Sequence, residues 1–410
     1  MFNLTFTTGN EHFNGKYTYT DNPEDQMAGG QSEVMIITRG EEHYILILGL
    51  QDEDTNRRAL LARKFFDQLM EVSFKVWNNK EFTELFMNNR IEIPYPLAIG
   101  NVEWDSNDLN KDYKQTIGML YYFYKNNVPL DAFIKSKSKN YFTSSNEINF
   151  SFIDEMKILS KQLILQYYFV FANKFYSQGA EPIQLIHNDL FPSNVLIWPN
   201  EGVDYVVIID WGGCGVWRKE TNDWYAPEYK PLAVGKEGVS GIFYPEELNR
   251  EDPEFFPSTD LFLIANHLFT LATGFSPTVF FRPDPESSHK FISWYKHYKS
   301  ENVWPPKFND LERYFNSLNE EEKQTWNLSS KKDKFVNPFL KKEKYIDNLR
   351  IMINHAYKNA EEMFYKMFVD GYNQPEDRPD IFDLIKMVSG NSVLKEFDKL
   401  ILKSSQSIVF

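Results

Sequence analysis

A single cysteine, Cys214, stands in 410 residues. That excludes an intramolecular disulfide, and the seven histidines show no Cys/His spacing of the kind that holds structural zinc. Positive charge is also scarce. The 44 Lys and Arg against 58 Asp and Glu leave a formal net charge of −14 at pH 7, so the chain lacks the basic face that nucleic-acid phosphates demand, and nucleic acid is not an expected partner. Long hydrophobic runs are missing as well. None reaches the roughly 18 apolar residues that a spanning helix needs, and the N-terminal stretch Met1-Phe2-Asn3-Leu4-Thr5-Phe6 has neither a basic n-region nor an apolar h-region. A cytoplasmic chain with no membrane span and no structural metal is the expectation.

What is present is long enough for two packed lobes or one large α/β unit. Its most informative stretch runs Ile186-His187-Asn188-Asp189-Leu190-Phe191-Pro192-Ser193-Asn194-Val195-Leu196-Ile197, followed by Val206-Val207-Ile208-Ile209-Asp210-Trp211-Gly212. An Asp with an Asn five positions later, then a strand ending in Asp-aromatic-Gly, suits phosphoryl transfer. One carboxylate meets the attacking hydroxyl, while a carboxamide and a second carboxylate offer hard oxygen ligands to cations on ATP phosphates.

Both halves resemble the protein-kinase superfamily, whose motifs read H-R-D-x-x-x-x-N and D-F-G. Three further segments fit in order: Ala226-Pro227-Glu228 resembles the A-P-E motif, Ser258-Thr259-Asp260-Leu261 onward to Gly274 resembles a helix whose Asp anchors the catalytic-loop backbone, and Asp377-Arg378-Pro379 resembles the late arginine that pairs with the A-P-E glutamate. Phe243-Tyr244-Pro245-Glu246-Glu247 is a second candidate for the A-P-E position, with Glu246 at the closer spacing and Glu228 the better match in letters. A similar Ile-Asp-Trp strand end occurs in aminoglycoside and choline phosphotransferases.

The resemblance implies an α+β, bilobal protein kinase-like fold, with a β-rich N-lobe over 1–124 and a mainly α-helical C-lobe over 125–410 carrying insertions near 230–256 and 279–345. It implies ATP and Mg²⁺ as cofactors and a protein substrate, with a Ser or Thr hydroxyl as acceptor. Catalytic roles fall to Asp189, Asn194 and Asp210, with Asn194 and Asp210 as metal ligands. His187, Glu228, Asp260 and Arg378 are structural. The glycine-led hairpin at Gly29-Gly30-Gln31-Ser32 would approach the nucleotide phosphates through its backbone. Residues 55–77 carry helical periodicity where the family places a helix bearing a glutamate, positionally Glu71. Lys125-Asn126-Asn127-Val128 into Pro129-Leu130 resembles the hinge, and 151–178 reads as a long helix with Ser151 as N-cap and Gly179 after its end.

Three departures bear on activity. The strand Tyr44-Ile45-Leu46-Ile47-Leu48-Gly49 carries no lysine for the α/β-phosphates, which leaves Lys64, Arg39 or Lys16 as substitutes, or else a pseudokinase scaffold. Asn188 replaces the arginine that receives an activation-loop phosphate, implying activity independent of such phosphorylation. Phe191 stands where serine/threonine kinases place a lysine, which keeps a small-molecule kinase as an alternative.

Overall fold

The computed structural model describes residues 2–19, 26–28, 33–48, 80–92, 97–105, 115–145, 147–172, 184–187, 189–209, 215–218, 223–225, 245, 247, 256–275, 277, 345–368, 370–372 and 374–406. Gly29, Gly30, Gln31, Ser32, Lys64, Glu71, Asn188, Asp210, Cys214, Glu228 and Glu246, with the segment 55–77, lie outside the described residues.

The N-terminal part contains seven strands: β1 (Phe2–Thr8), β2 (Gly15–Tyr19), β3 (Gln26–Ala28), β4 (Glu33–Arg39), β5 (Glu42–Leu48), β6 (Ala98–Trp104) and β7 (Gln115–Tyr122). They pair antiparallel in the order β2-β1-β6-β7-β5-β4, and β4 returns to β2 through Thr18↔Thr38 and Tyr19↔Ile37. The ladder is a closed six-stranded barrel, with β3 paired to β4 alongside it. Alternate residues point inward, as the two-residue strand period requires. Leu4, Phe6, Tyr17, Tyr19, Met35, Ile37, Tyr44, Leu46, Leu48, Ala98, Val102, Trp104 and Leu120 fill the interior.

Two glycines let so few strands close around that filling. Gly100 and Gly118 sit opposite each other on β6 and β7. A Cβ on Gly100 would lie 2.3 Å from the Thr7 carbonyl oxygen, and one on Gly118 would lie 2.8 Å from Leu46 Cδ1 and Val102 Cγ2. The β4–β5 hairpin turns at Gly40, whose φ of 65° a side chain would oppose.

This barrel overturns the expected bilobal protein kinase-like fold, because a closed barrel is not the N-lobe sheet of that fold. The physical reason lies in strands the sequence reading left unassigned. Residues 2–8, 15–19 and 98–104 each bury alternate apolar side chains, and the β1–β2 and β1–β6 ladders join them to the β4–β5–β7 strands on both sides.

The rest of the described chain is mainly helical: α1 (Lys80–Asn89), α2 (Leu130–Lys137), α3 (Phe150–Tyr167), α4 (Pro257–Thr273), α5 (Tyr345–Ala356), α6 (Ala360–Phe368), α7 (Ile381–Ser389) and α8 (Asn391–Gln406). Two small three-stranded sheets accompany them. β8 (Val128–Pro129), β10 (Val195–Asn200) and β11 (Val203–Ile208) form one, while β9 (Gln184–Ile186), β12 (Gly215–Arg218) and β13 (Asp223–Tyr225) form the other. The β10–β11 hairpin closes through Glu201 and Gly202, both at positive φ (50° and 79°), the two-residue turn whose twist matches paired strands.

Helix α4 is buried on all sides from Thr259 to Phe269 and ends at Gly274 in the left-handed conformation, packed against the Tyr141 ring. A helix that is apolar all round belongs in the middle of a core, and α1, α3, α5, α6 and α7 share that core with it. Helix α3 differs from its expected form at both ends. Its N-cap is Asn149, which accepts from the Phe152 N–H, and regular helix gives way to a π turn at Tyr168–Ala172.

Candidate active site

The segment Ile186–Val195 leaves β9, passes through a 3₁₀ turn at Pro192–Asn194 and enters β10. Such a loop holds a fixed shape only if its polar backbone groups find partners, and here α4 supplies two of them. Asp260 Oδ2 accepts from the His187 backbone N–H at 2.6 Å and from the Tyr167 hydroxyl at 2.9 Å. Two turns further along the helix, His267 Nε2 lies 2.8 Å from the Leu190 carbonyl oxygen.

The His187 ring spans the loop from the other side. Its Nδ1 accepts the Asp189 backbone N–H at 3.2 Å, and its Nε2 lies 2.9 Å from the Ile209 carbonyl. Since a carbonyl only accepts, Nε2 carries the ring proton, and Nδ1, which accepts an N–H, carries none. The ring is therefore neutral. Burial disfavours the imidazolium and holds the His187 pKa down to about 4, offset in part by the bond to Ile209. Burial does the same at His267, also to about 4, with the Leu190 carbonyl opposing it.

Asn194 closes the loop on itself. Its Nδ2 donates to the Asp189 carbonyl at 2.8 Å, its backbone carbonyl accepts from the Ile209 N–H, and its own N–H reaches Phe191 O, the last two both at 2.9 Å. With Nδ2 turned toward the loop backbone, Oδ1 faces the other way, a hard oxygen of the kind Mg²⁺ prefers. The structure thus gathers His187, Asp189, Asn194 and Asp260 into one network around a single loop, with Asp189 only 9% exposed.

The β10–β11 hairpin that leads to Asp210 is fixed by two glutamines one turn apart on α3. Gln162 takes the Val206 N–H (2.8 Å) and donates to Asp204 O (3.0 Å), while Gln166 takes the Ile208 N–H (2.7 Å) and donates to Val206 O (3.2 Å). Their carboxamides stand where a further strand would. Gln166 also donates to the Glu92 carbonyl. The Glu92 carboxyl accepts from the Tyr124 hydroxyl, and burial raises its pKa above the ordinary carboxylate value.

Arg378 meets a different glutamate from the two expected. Nη1 and Nη2 lie 2.6 and 2.7 Å from the carboxylate of Glu247, the residue after Glu246, with both side chains buried. Thr259 donates to the same carboxylate at 2.8 Å, and Arg378 Nε donates to Gly371 O at 2.6 Å. The guanidinium also lies over the Phe262 ring, so the pair is anchored on α4.

Arg39, one of the three basic residues considered in place of the absent lysine, is committed at the end of the barrel. It donates to His12 O at 2.7 Å, pairs with Glu42 and stacks over Tyr17. Lys16 stands on β2 opposite Thr5. Among the described residues no group of three or more His, Cys, Asp or Glu side chains is close enough to hold a metal ion, and none of the helices is long and apolar enough to cross a membrane.

Tyr167, His267, Gln162, Gln166, Thr259 and Glu247 escaped the sequence reading. A legible signal existed for some of them: His267 and Asn266 are the polar breaks in an apolar helix, and Gln162 and Gln166 occupy one face of α3 four residues apart. No protein-family model matches the chain, and no curated protein matches it.

Proposed function

We propose that the protein is an ATP- and Mg²⁺-dependent phosphotransferase whose acceptor is a hydroxyl, with a Ser or Thr side chain of a protein as the acceptor class. The observation that carries this reading is the bracing of the Asp189–Asn194 loop. His187, Asp260 and Asn194 hold the backbone on both sides of Asp189, and the bond from Asn194 Nδ2 to the Asp189 carbonyl leaves the carboxamide oxygen of Asn194 for another partner. Rigid placement of a carboxylate is what positioning of a nucleophile requires.

In this reading Asp189 orients the acceptor hydroxyl and takes its proton as the oxygen–phosphorus bond forms and the bond to ADP breaks. Asn194 Oδ1 and the Asp210 carboxylate would hold the metal, which neutralises phosphate charge when bound. A nucleotide-binding scaffold is the second reading. It is favoured by β5, where Tyr44, Leu46 and Leu48 point inward, Ile45 and Ile47 point outward, and no Lys or Arg is present.

Transfer from γ-labelled ATP, read together with nucleotide affinity, tests both. Asp189→Asn should remove transfer and leave Mg-ATP affinity within about threefold, whereas Asp210→Ala should weaken Mg²⁺-dependent binding at least tenfold. Equal loss of binding in both would contradict the roles assigned. Tight Mg-ATP binding without turnover on any acceptor would favour the scaffold.

A further inference from the structure

We infer that His267 is a positioning residue: its ring N–H holds the carbonyl of Leu190, and so sets the direction in which the Asp189 carboxylate points. The inference rests on the phosphotransferase reading for its effect on rate, but its structural content stands apart from that reading.

Asp260 and His267 lie seven residues apart on α4, close to two full turns, so they project from nearly the same face about 10 Å apart along the axis. The loop lies along that face. Its His187 N–H is taken by Asp260 at 2.6 Å and its Leu190 carbonyl by His267 at 2.8 Å. The segment between the two anchors contains Asp189, whose own N–H goes to the His187 ring. Asp260 fixes the start of this segment and Asn194 Nδ2 holds the Asp189 carbonyl at 2.8 Å, so the peptide that depends on His267 is the one after Leu190. Without the His267 donor that peptide could turn, and the turn would pass back through Leu190 to the Asp189 side chain without breaking any bond that Asp260 makes.

Helix α4 is otherwise apolar over this stretch apart from Asn266, which spends its amide on the Phe262 carbonyl of the same helix. An apolar side chain at 267 would fill the space equally well and would leave the buried Leu190 carbonyl unsatisfied. The imidazole therefore serves the loop rather than the packing of the core.

Three variants separate these roles. His267→Leu keeps bulk and loses the donor, His267→Gln keeps an N–H long enough to reach the carbonyl, and His267→Asn keeps an amide that falls short. Each is measured by amide hydrogen exchange over 187–195, and by kcat and KM for phosphate transfer from γ-labelled ATP to casein and to histone. Exchange across the loop should quicken by about tenfold in the Leu and Asn variants, with α4 unchanged, and return toward wild type in the Gln variant. In an active enzyme, kcat should fall by about 100-fold in Leu and Asn with KM for ATP within about twofold, and Gln should restore most of it.

Loop exchange unchanged in both the Leu and Asn variants would overturn the inference, as would a Gln variant no better than Leu. Should His267→Leu not fold, the Asn and Gln pair carries the same comparison. A wild-type protein with no transfer would instead sink the phosphotransferase reading, and the exchange measurements would still decide the role of His267.

Discussion

Two neutral imidazoles hold the loop around Asp189, and each is neutral because it is buried. An unfolded histidine binds its proton near 6.5, whereas His187 and His267 bind theirs only near 4. Between those values the unfolded chain carries more protons than the folded one, so folding weakens as the pH falls. The contribution of each ring is fully present above pH 6.5 and is lost progressively down to about 4. It amounts to about 1 kcal/mol per pH unit per histidine inside that window. Urea melts from pH 7 to 4 should show this slope, and His267→Gln, which does not titrate there, should remove about half of the histidine part. A Gln variant with the wild-type slope would mean that the ring is not buried in its neutral form. His187 was readable from its place in the motif as a structural residue. His267 was not, because a lone histidine in an apolar helix declares its partner only when the loop is folded against it.

At the level of single elements, α3 shows how far periodicity reaches. Its apolar face, packed against α4, α5 and α7, is written in the sequence, which predicts a helix over 151–178 where regular helix is observed over Phe150–Tyr167 with a π turn after it. Its start was misjudged by two residues because Ser151 and Asn149 both suit a cap, and only the Asn149 side chain accepts the Phe152 N–H. The glutamines were hidden for another reason: burying a carboxamide is unfavourable unless a backbone waits for it, and that backbone is β11, about 40 residues away in sequence. Gln166→Leu should leave the Ile208 N–H and the Val206 carbonyl without partners, destabilising the fold by about 2 kcal/mol. Because β11 runs into Asp210, the same change should weaken Mg-ATP affinity more than Ser151→Ala does. Isothermal titration of the two variants would show it, and equal affinities would detach α3 from the site.

At the scale of the whole molecule, the barrel and the helical part have separate cores, and among the described residues none is shared between them. The helical core was visible in long amphipathic runs, whereas the barrel depended on pairing between strands up to about 100 residues apart, and a two-residue alternation does not name its partner. Closure leans on the two facing glycines. Gly100→Ala would drive a methyl into the Thr7 backbone and should cost about 3 kcal/mol, while Gly118→Ala meets only the ends of two side chains and should cost about 1 kcal/mol. Calorimetry distinguishes them, and equal losses would mean that the β1–β6 seam can open to admit the methyl.

The Glu247–Arg378 pair closes the helical part over 131 positions of chain. Glu247→Ala strands a buried guanidinium and should cost about 4 kcal/mol, and joining it to Arg378→Met should recover most of that. Additive losses in denaturant melts would contradict a coupled pair. In the sequence the letters favoured Glu228 and the spacing Glu246, and neither signal names Glu247, which the folded chain brings to Arg378.

The barrel and the β10–β11 hairpin also share a property that bears on the life of the chain in a crowded solution. Among the described residues each of the six barrel strands has a neighbour on both sides, and the Asp204 carbonyl, the Val206 N–H and carbonyl and the Ile208 N–H of β11 are taken up by two side-chain amides. Along those paired stretches no backbone group is left for a foreign strand to take up, whereas β3, paired to β4 alone, keeps one edge. β-Augmentation is thereby confined to the β3 side of the barrel, and partners that bind the other paired strands must do so through side chains.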